Sequence, residues 1–189
     1  MESLKTLLAN YQILGNPDVD NIRVVYYGIM PKPELDKDKV KMMLDVVKQF
    51  CKFCVVKILI ADIHSYLMYK YDISVDIWTK KLRDFIETEM QGYEYEVIMG
   101  SSFQNSHAYN LDLLKISTKV DIDQIRNHLE QYHECKTVGD LIYPLMQILD
   151  ESALEADLEI SDNTQIDIFN LKLYGLVDMG LRECCYLIV

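Results

Sequence analysis

Residues 55–61 read VVKILIA, a near-continuous apolar run broken only by Lys57. No other segment constrains the fold as strongly. The run is far shorter than the roughly 20 apolar residues that span a bilayer. It suits a strand buried on both faces, which is the situation inside a parallel sheet. A parallel sheet needs crossover helices that cover both of its faces.

The rest of the chain supplies that alternation. Residues 22–29 (IRVVYYGI) and 95–100 (YEVIMG) are further strand candidates, rich in β-branched and aromatic residues. Residues 157–160 form a short strand and 184–189 (CCYLIV) a last one. Between them lie helical patterns. Residues 2–14 carry Leu4, Leu7, Leu8 and Tyr11 at helical spacing, and Gly15-Asn16-Pro17 ends that pattern. Residues 36–50 place Val40, Met43, Leu44 and Val47 on one face. Helices are expected near 64–69, across 73–91, within 106–132 and over 163–174. Thr137 to Asp140 has the form of a capping box and opens a helix through about residue 155, with a kink expected at Pro144. The expected architecture is α/β: a Rossmann-like, mainly parallel sheet of about five strands flanked by helices, with a helical insertion near 103–135. Residues 1–189 are expected to form a single domain, and ligands of such sheets sit at the carboxyl ends of the strands where strand order reverses.

Composition narrows the function. Acids number 30 against 19 Lys and Arg, a net charge of −11. Nucleic-acid affinity rests largely on phosphate neutralisation by basic side chains, so tRNA is an unfavoured partner. The densest basic stretch, 37–48, is interleaved with Asp38 and Asp45. The N-terminal residues lack a basic region followed by an apolar stretch, so no signal peptide and no membrane association are expected, and the location is read as cytoplasmic. Five cysteines include the pair Cys51 and Cys54 and the adjacent Cys184 and Cys185. Zinc would want a second well-spaced pair, and the thiols read as reduced and apolar, with no metal.

Tyr143, Gln147 and Asp150 sit at i, i+4 and i+7 and share one helix face. Burying such groups unpaired costs a few kcal/mol. Spacing alone leaves open a solvent-facing polar stripe, a hydrogen-bonded group in the core, or a binding surface.

Residues 141–150 (LIYPLMQILD) resemble the YPxxQxxD helix of archaeal and eukaryotic tyrosyl-tRNA synthetases. Other segments resemble the same family in order and at family spacing. Residues 25–28 (VYYG) resemble its first strand, which ends in Tyr-x-Gly, and residues 59–67 (LIADIHSYL) resemble LLADxHAYL. Residues 100–104 (GSSFQ) and 109–112 (YNLD) resemble its GxxxQ and YTLDV stretch, and residues 156–169 resemble VDxxxGGxDQRKIF. The resemblance implies a tyrosine pocket. Asp150 and the Tyr26 hydroxyl would hold the substrate phenol, and Tyr143, Gln147 and Gln165 its α-ammonium. Gly28 would let backbone approach the ligand, and Ala61 would be a small wall.

The nucleotide half departs from the family pattern. Where a HIGH-type segment would follow the first strand, the chain reads MPKPELDKD over 30–38, with no His and no Gly. The Gly-Gly pair becomes Ser161-Asp162, and the following arginine becomes Ile166. No KMSKS-type loop or anticodon-binding domain occurs before Val189. Lys32, Lys37 and Lys39 are the cations that would have to substitute. ATP is therefore an unexpected cofactor, and no residue is assigned as catalytic. The resemblance implies a catalytically inactive tyrosyl-tRNA synthetase-like protein with a regulatory, sensing or scaffolding role. The alternative is a truncated tyrosine–tRNA ligase, active alone or completed by a second chain. Family members dimerise through the region resembling 103–132, so L-tyrosine and a homodimer or a heterodimer with a synthetase-like chain are the expected partners.

Overall fold

The computed structural model describes residues 3–70, 72–130, 137–176 and 179–189. A sheet of six strands runs in the order β1 (Gln12–Leu14), β6 (Cys185–Ile188), β5 (Leu158–Ser161), β2 (Val24–Ile29), β3 (Val55–Ile60) and β4 (Glu96–Met99). All neighbours pair in parallel except β1, which runs antiparallel along the edge of β6.

The sixth strand corrects the expectation for the N-terminus. The helix α1 covers only Leu4–Leu8, capped by the Ser3 hydroxyl. Residues 12–14 leave the helical pattern and pair with residues 186–188. Helical spacing did not decide this segment, because the edge of β6 offered a ladder that local propensity could not anticipate. Gly15, at φ +89°, then turns the chain away.

Side chains alternate along the central strands, as a pleated sheet requires. Val25 and Tyr27 of β2, with Ile58 and Ile60 of β3, join Leu7, Val47, Phe50, Leu82 and Ile86 in one core. That face is covered by α1, α2 (Lys37–Phe50) and α4 (Val75–Glu89). Tyr26 and Leu59 point the other way. They meet Leu145, Ile148, Leu149, Ile168 and Phe169 under α7 (Val138–Ala153) and α8 (Ile166–Asn170). Lys57, the break in the apolar run, is half-buried, and its ammonium donates to the Leu154 carbonyl at 2.7 Å, beside the end of α7.

The helix α7 opens on the expected capping box, with Thr137 Oγ1 accepting from the Asp140 amide and Asp140 accepting from the Thr137 amide. Pro144 lies buried inside it. The helix α3 (Asp62–Met68) and the insertion helices α5 (His107–Ser117) and α6 (Ile122–Glu130) complete this side. The parts of the expected helical stretches at residue 2 and at 131–135 lie outside the described residues. No described helix is long and apolar enough to cross a membrane.

Chain order reverses between β2 and β5: β3 and β4 build outward on one side, β5 and β6 on the other. A crevice therefore opens at the carboxyl ends of these two strands.

Candidate functional site

That crevice holds a cavity of about 200 Å³, where about 10–15 Å³ on the same measure suffices for one water. All seven residues singled out in the sequence line it: Tyr26, Gly28, Ala61, Tyr143, Gln147, Asp150 and Gln165. Strand β2 contributes Tyr26 and Gly28, and α7 contributes Tyr143, Gln147 and Asp150 from one face.

The inner end is built around Asp150, which is 1% exposed. Its Oδ1 accepts from the Gln104 side-chain amide at 2.8 Å and from the Tyr109 hydroxyl at 2.7 Å. Its Oδ2 has no partner. One oxygen is thus held by the protein, while the other stays available at the cavity. Burial pushes the Asp150 carboxyl up to about 8, against the pull of the Gln104 and Tyr109 hydrogen bonds. His64 Nε2 lies 3.6 Å from Asp150 Oδ2. That spacing is no ion pair at neutral pH, because burial lowers the imidazole to about 4 and leaves it uncharged. The His64 ring meets Tyr143 edge-on, with centroids 4.9 Å apart.

Gly28 lines the cavity and also makes room within the protein itself. A Cβ there would collide with the Tyr26 hydroxyl. The glycine makes room for the protein's own phenol, which lies along β2 and presents its hydroxyl at the crevice. Burial raises the Tyr26 phenol well above its usual range, and the neighbouring Glu159 and Asp150 carboxyls add to it, so the phenol stays protonated and can donate. Toward the opening, the Gln147 side-chain amide donates to Gln165 Oε1 at 2.9 Å, and Gln147 Oε1 is buried without a partner.

The mouth is acidic. Glu34, Asp36 and Asp162 line it, beside Lys32 and Lys39. Asp36 caps the N-terminus of α2 by accepting from the Lys39 amide at 3.0 Å. Lys39 Nζ in turn binds Asp162 at 2.6 Å. The helix terminus that could face a phosphate is occupied by a carboxylate, and a lysine proposed as a substitute cation is already paired. Burial alone would raise Asp162, but the bonds from Lys39 and Thr164 outweigh it and hold the carboxyl below its usual range. Among the described residues no group of three or more His, Cys, Asp or Glu could hold a metal ion.

Sequence reasoning quoted His64, Gln104 and Tyr109 within motifs but gave them no role. Their convergence on Asp150 joins α3, α5 and the loop before α5 to α7, which spacing cannot reveal. Glu159, 3% exposed on β5 and lining the cavity, was missed entirely. Its only signal was an acid between the apolar Leu158 and Ile160 of a short strand.

Residues 24–169 match the family model described as tRNA synthetases class I (W and Y), and the chain belongs to that family. Within it, the likeness is to the tyrosyl members. The tyrosine–tRNA ligase of Methanosarcina mazei is 28% identical over 168 residues, covering 83% of this chain and 51% of that protein. That of Archaeoglobus fulgidus is 30% identical over 128 residues, covering 65% of this chain and 40% of that protein. The crystal structure of the A. fulgidus tyrosyl-tRNA synthetase, complexed with L-tyrosine, superposes with a TM-score of 0.80 at 25% identity, over 89% of this chain and 55% of that one. A tryptophanyl-tRNA synthetase from Giardia lamblia shares the fold at a TM-score of 0.69 and 16% identity, over 90% of this chain and 53% of that one. The chain thus spans about half the length of the curated relatives it matches.

The buried acids set a pH dependence. A carboxyl whose pKa is raised on folding contributes stability that is present at low pH and lost as pH rises toward the folded value. Asp150 does so up to about pH 8. His64 opposes it only below its unfolded value of about 6.5, where the unfolded chain takes up a proton that the folded chain refuses. Between about pH 6.5 and pH 8 the acid acts without that opposition, and urea unfolding should show a loss of about 1–2 kcal/mol. A flat profile in that window would mean that Asp150 is ionised throughout.

Proposed function

We propose that this domain binds L-tyrosine and does not activate it. In this reading it is a tyrosyl-tRNA synthetase-like protein with a regulatory, sensing or scaffolding role, in the cytoplasm. The observation that carries the reading is the arrangement at Asp150: Oδ1 is consumed by Gln104 and Tyr109, and Oδ2 is left unpartnered on a side chain that lines the same cavity as Tyr26. A phenol placed there donates to Asp150 and accepts from Tyr26. Phenylalanine leaves both groups unpaired, and sites that bond a substrate hydroxyl reject the analogue lacking it by about 10⁴–10⁵. Tyr143, Gln147 and Gln165 line the same cavity and in this reading receive the α-ammonium, for which the unpaired Gln147 Oε1 is an acceptor.

The charges at the cavity mouth disfavour catalysis. Adenylation builds negative charge on the α-phosphate and pyrophosphate, and each preorganised donor lost commonly costs about 10²–10³ in rate. Here Glu34 and Asp36 line the mouth, and the Lys39–Asp162 pair crosses it. Exposed Leu111, Leu114 and Ile122 lie on the insertion helices, with Val138 at the start of α7. In this reading they form the contact surface of a homodimer or of a pair with a synthetase-like chain.

Calorimetric titration with L-tyrosine and L-phenylalanine, followed by ATP-dependent pyrophosphate exchange, tests both halves. Tyrosine should bind saturably, with phenylalanine weaker by at least about 100-fold, and exchange should stay at the protein-free rate. No tyrosine binding would overturn the reading. Exchange above background would replace it with the alternative of an active ligase, alone or completed by a second chain.

A further inference from the structure

The inner end of the cavity holds more acceptors than a single phenol can use. Glu159 of β5 stands beside Tyr26 of β2 in the sheet register. Its side chain is 3% exposed and lines the cavity, and its Oε2 has no hydrogen-bond partner. The cation nearest in kind, the buried Lys172, is committed to Glu151, which also receives the Tyr186 hydroxyl. Asp150 Oδ2 is a second unpartnered carboxyl oxygen at the same cavity. The Tyr26 hydroxyl, whose ionisation both acids disfavour, sits within reach of their fields.

A phenol carries one proton. Donating it to Asp150 leaves Glu159 with an acceptor buried and unsatisfied, an arrangement that folding disfavours and that a ligand can relieve. The matching chemistry is a second donor on the ring carbon next to the hydroxyl. We propose that the preferred ligand is a catechol amino acid, a tyrosine bearing an adjacent ring hydroxyl, whose second proton is accepted by Glu159. The inference rests on the amino-acid reading of this pocket and refines its substrate class.

The test compares L-tyrosine, 3-hydroxy-L-tyrosine kept reduced, 3-amino-L-tyrosine and 3-methoxy-L-tyrosine by calorimetry on the full chain. The hydroxy and amino derivatives should bind about tenfold or more tighter than tyrosine, as expected when a buried oxygen otherwise left unsatisfied gains a hydrogen bond. The methoxy derivative, similar in place but without a donor, should bind more weakly than tyrosine. In Glu159→Ala the ratio of hydroxytyrosine to tyrosine affinity should fall to near one. A ratio near one in the native chain overturns the inference and leaves the tyrosine reading standing, with a water satisfying Glu159. Survival of the advantage in Glu159→Ala overturns the assignment of that residue. Failure of tyrosine and all three derivatives to bind removes both readings together. The native-chain ratio decides the matter even if the variant does not fold.

Discussion

A Lys172→Met variant unfolds at much lower denaturant, with folding stability reduced by about 3–5 kcal/mol. Lys172 is 6% exposed and binds Glu151, which is fully buried. The lysine emerges from a π-helical segment at Leu171–Gly175, directly after α8. Glu151 sits on α7 one residue beyond Asp150 and also receives the Tyr186 hydroxyl of β6 at 2.9 Å. Phe169 stacks on the Tyr186 ring with centroids 3.8 Å apart. The pair therefore pins the helix that carries the pocket to the last strand. Removing only the cation leaves an uncompensated buried carboxylate, whereas replacing both partners by apolar groups is commonly neutral. The double variant Glu151→Met, Lys172→Met should recover to within about 1 kcal/mol of the native chain, and the deficit of the single variant should shrink as pH falls and Glu151 takes up a proton. Urea titrations at two pH values measure both. A single variant that loses under about 1 kcal/mol would show that Glu151 finds another donor.

Asp150→Asn should separate recognition from folding. The asparagine carbonyl can still accept from Gln104 and Tyr109, which hold Oδ1 in the native chain. Its amide then turns toward the cavity where the unpaired Oδ2 stood, so a ligand phenol meets a donor in place of an acceptor. Above about pH 8, where Asp150 is ionised, a hydrogen bond to its carboxylate is worth about 1.5–3 kcal/mol, so tyrosine affinity measured there should fall by about 10–150-fold. Phenylalanine affinity should change much less, since that ring never bonded Asp150. Stability should not suffer: the neutral side chain removes the acid that burial pushes up to about 8, and the loss between about pH 6.5 and pH 8 should flatten. Equal losses for tyrosine and phenylalanine would sink the assignment of Asp150 to the phenol, whatever the stability result.

Much of the framework was legible because it rests on local rules. The apolar run at 55–60 became β3, an interior strand paired in parallel on both sides, and the capping box at Thr137 opened α7 where expected. The i, i+4, i+7 spacing of Tyr143, Gln147 and Asp150 brought all three to one cavity, since helix period depends on backbone geometry alone. The N-terminus was misread because its decisive partner, β6, lies more than 170 residues away in the chain. Gln104 and Tyr109 were visible as motif letters, but their donation to Asp150 depends on how α5 docks on α7.

Sequence alone thus determined the alternation of strand and helix, the acidic balance and the departure of residues 30–38 and 161–166 from a phosphate-binding pattern, because each follows from residue identity and short-range periodicity. Only the tertiary structure decided which oxygen of Asp150 is left free, that Gly28 yields to Tyr26, that Lys39 is spent on Asp162, and that one oxygen of Glu159 lacks a partner in the same cavity. Those outcomes turn on distances between elements far apart in the chain, and hydrogen bonds and ion pairs fall off too steeply with distance and angle for spacing along a sequence to settle them.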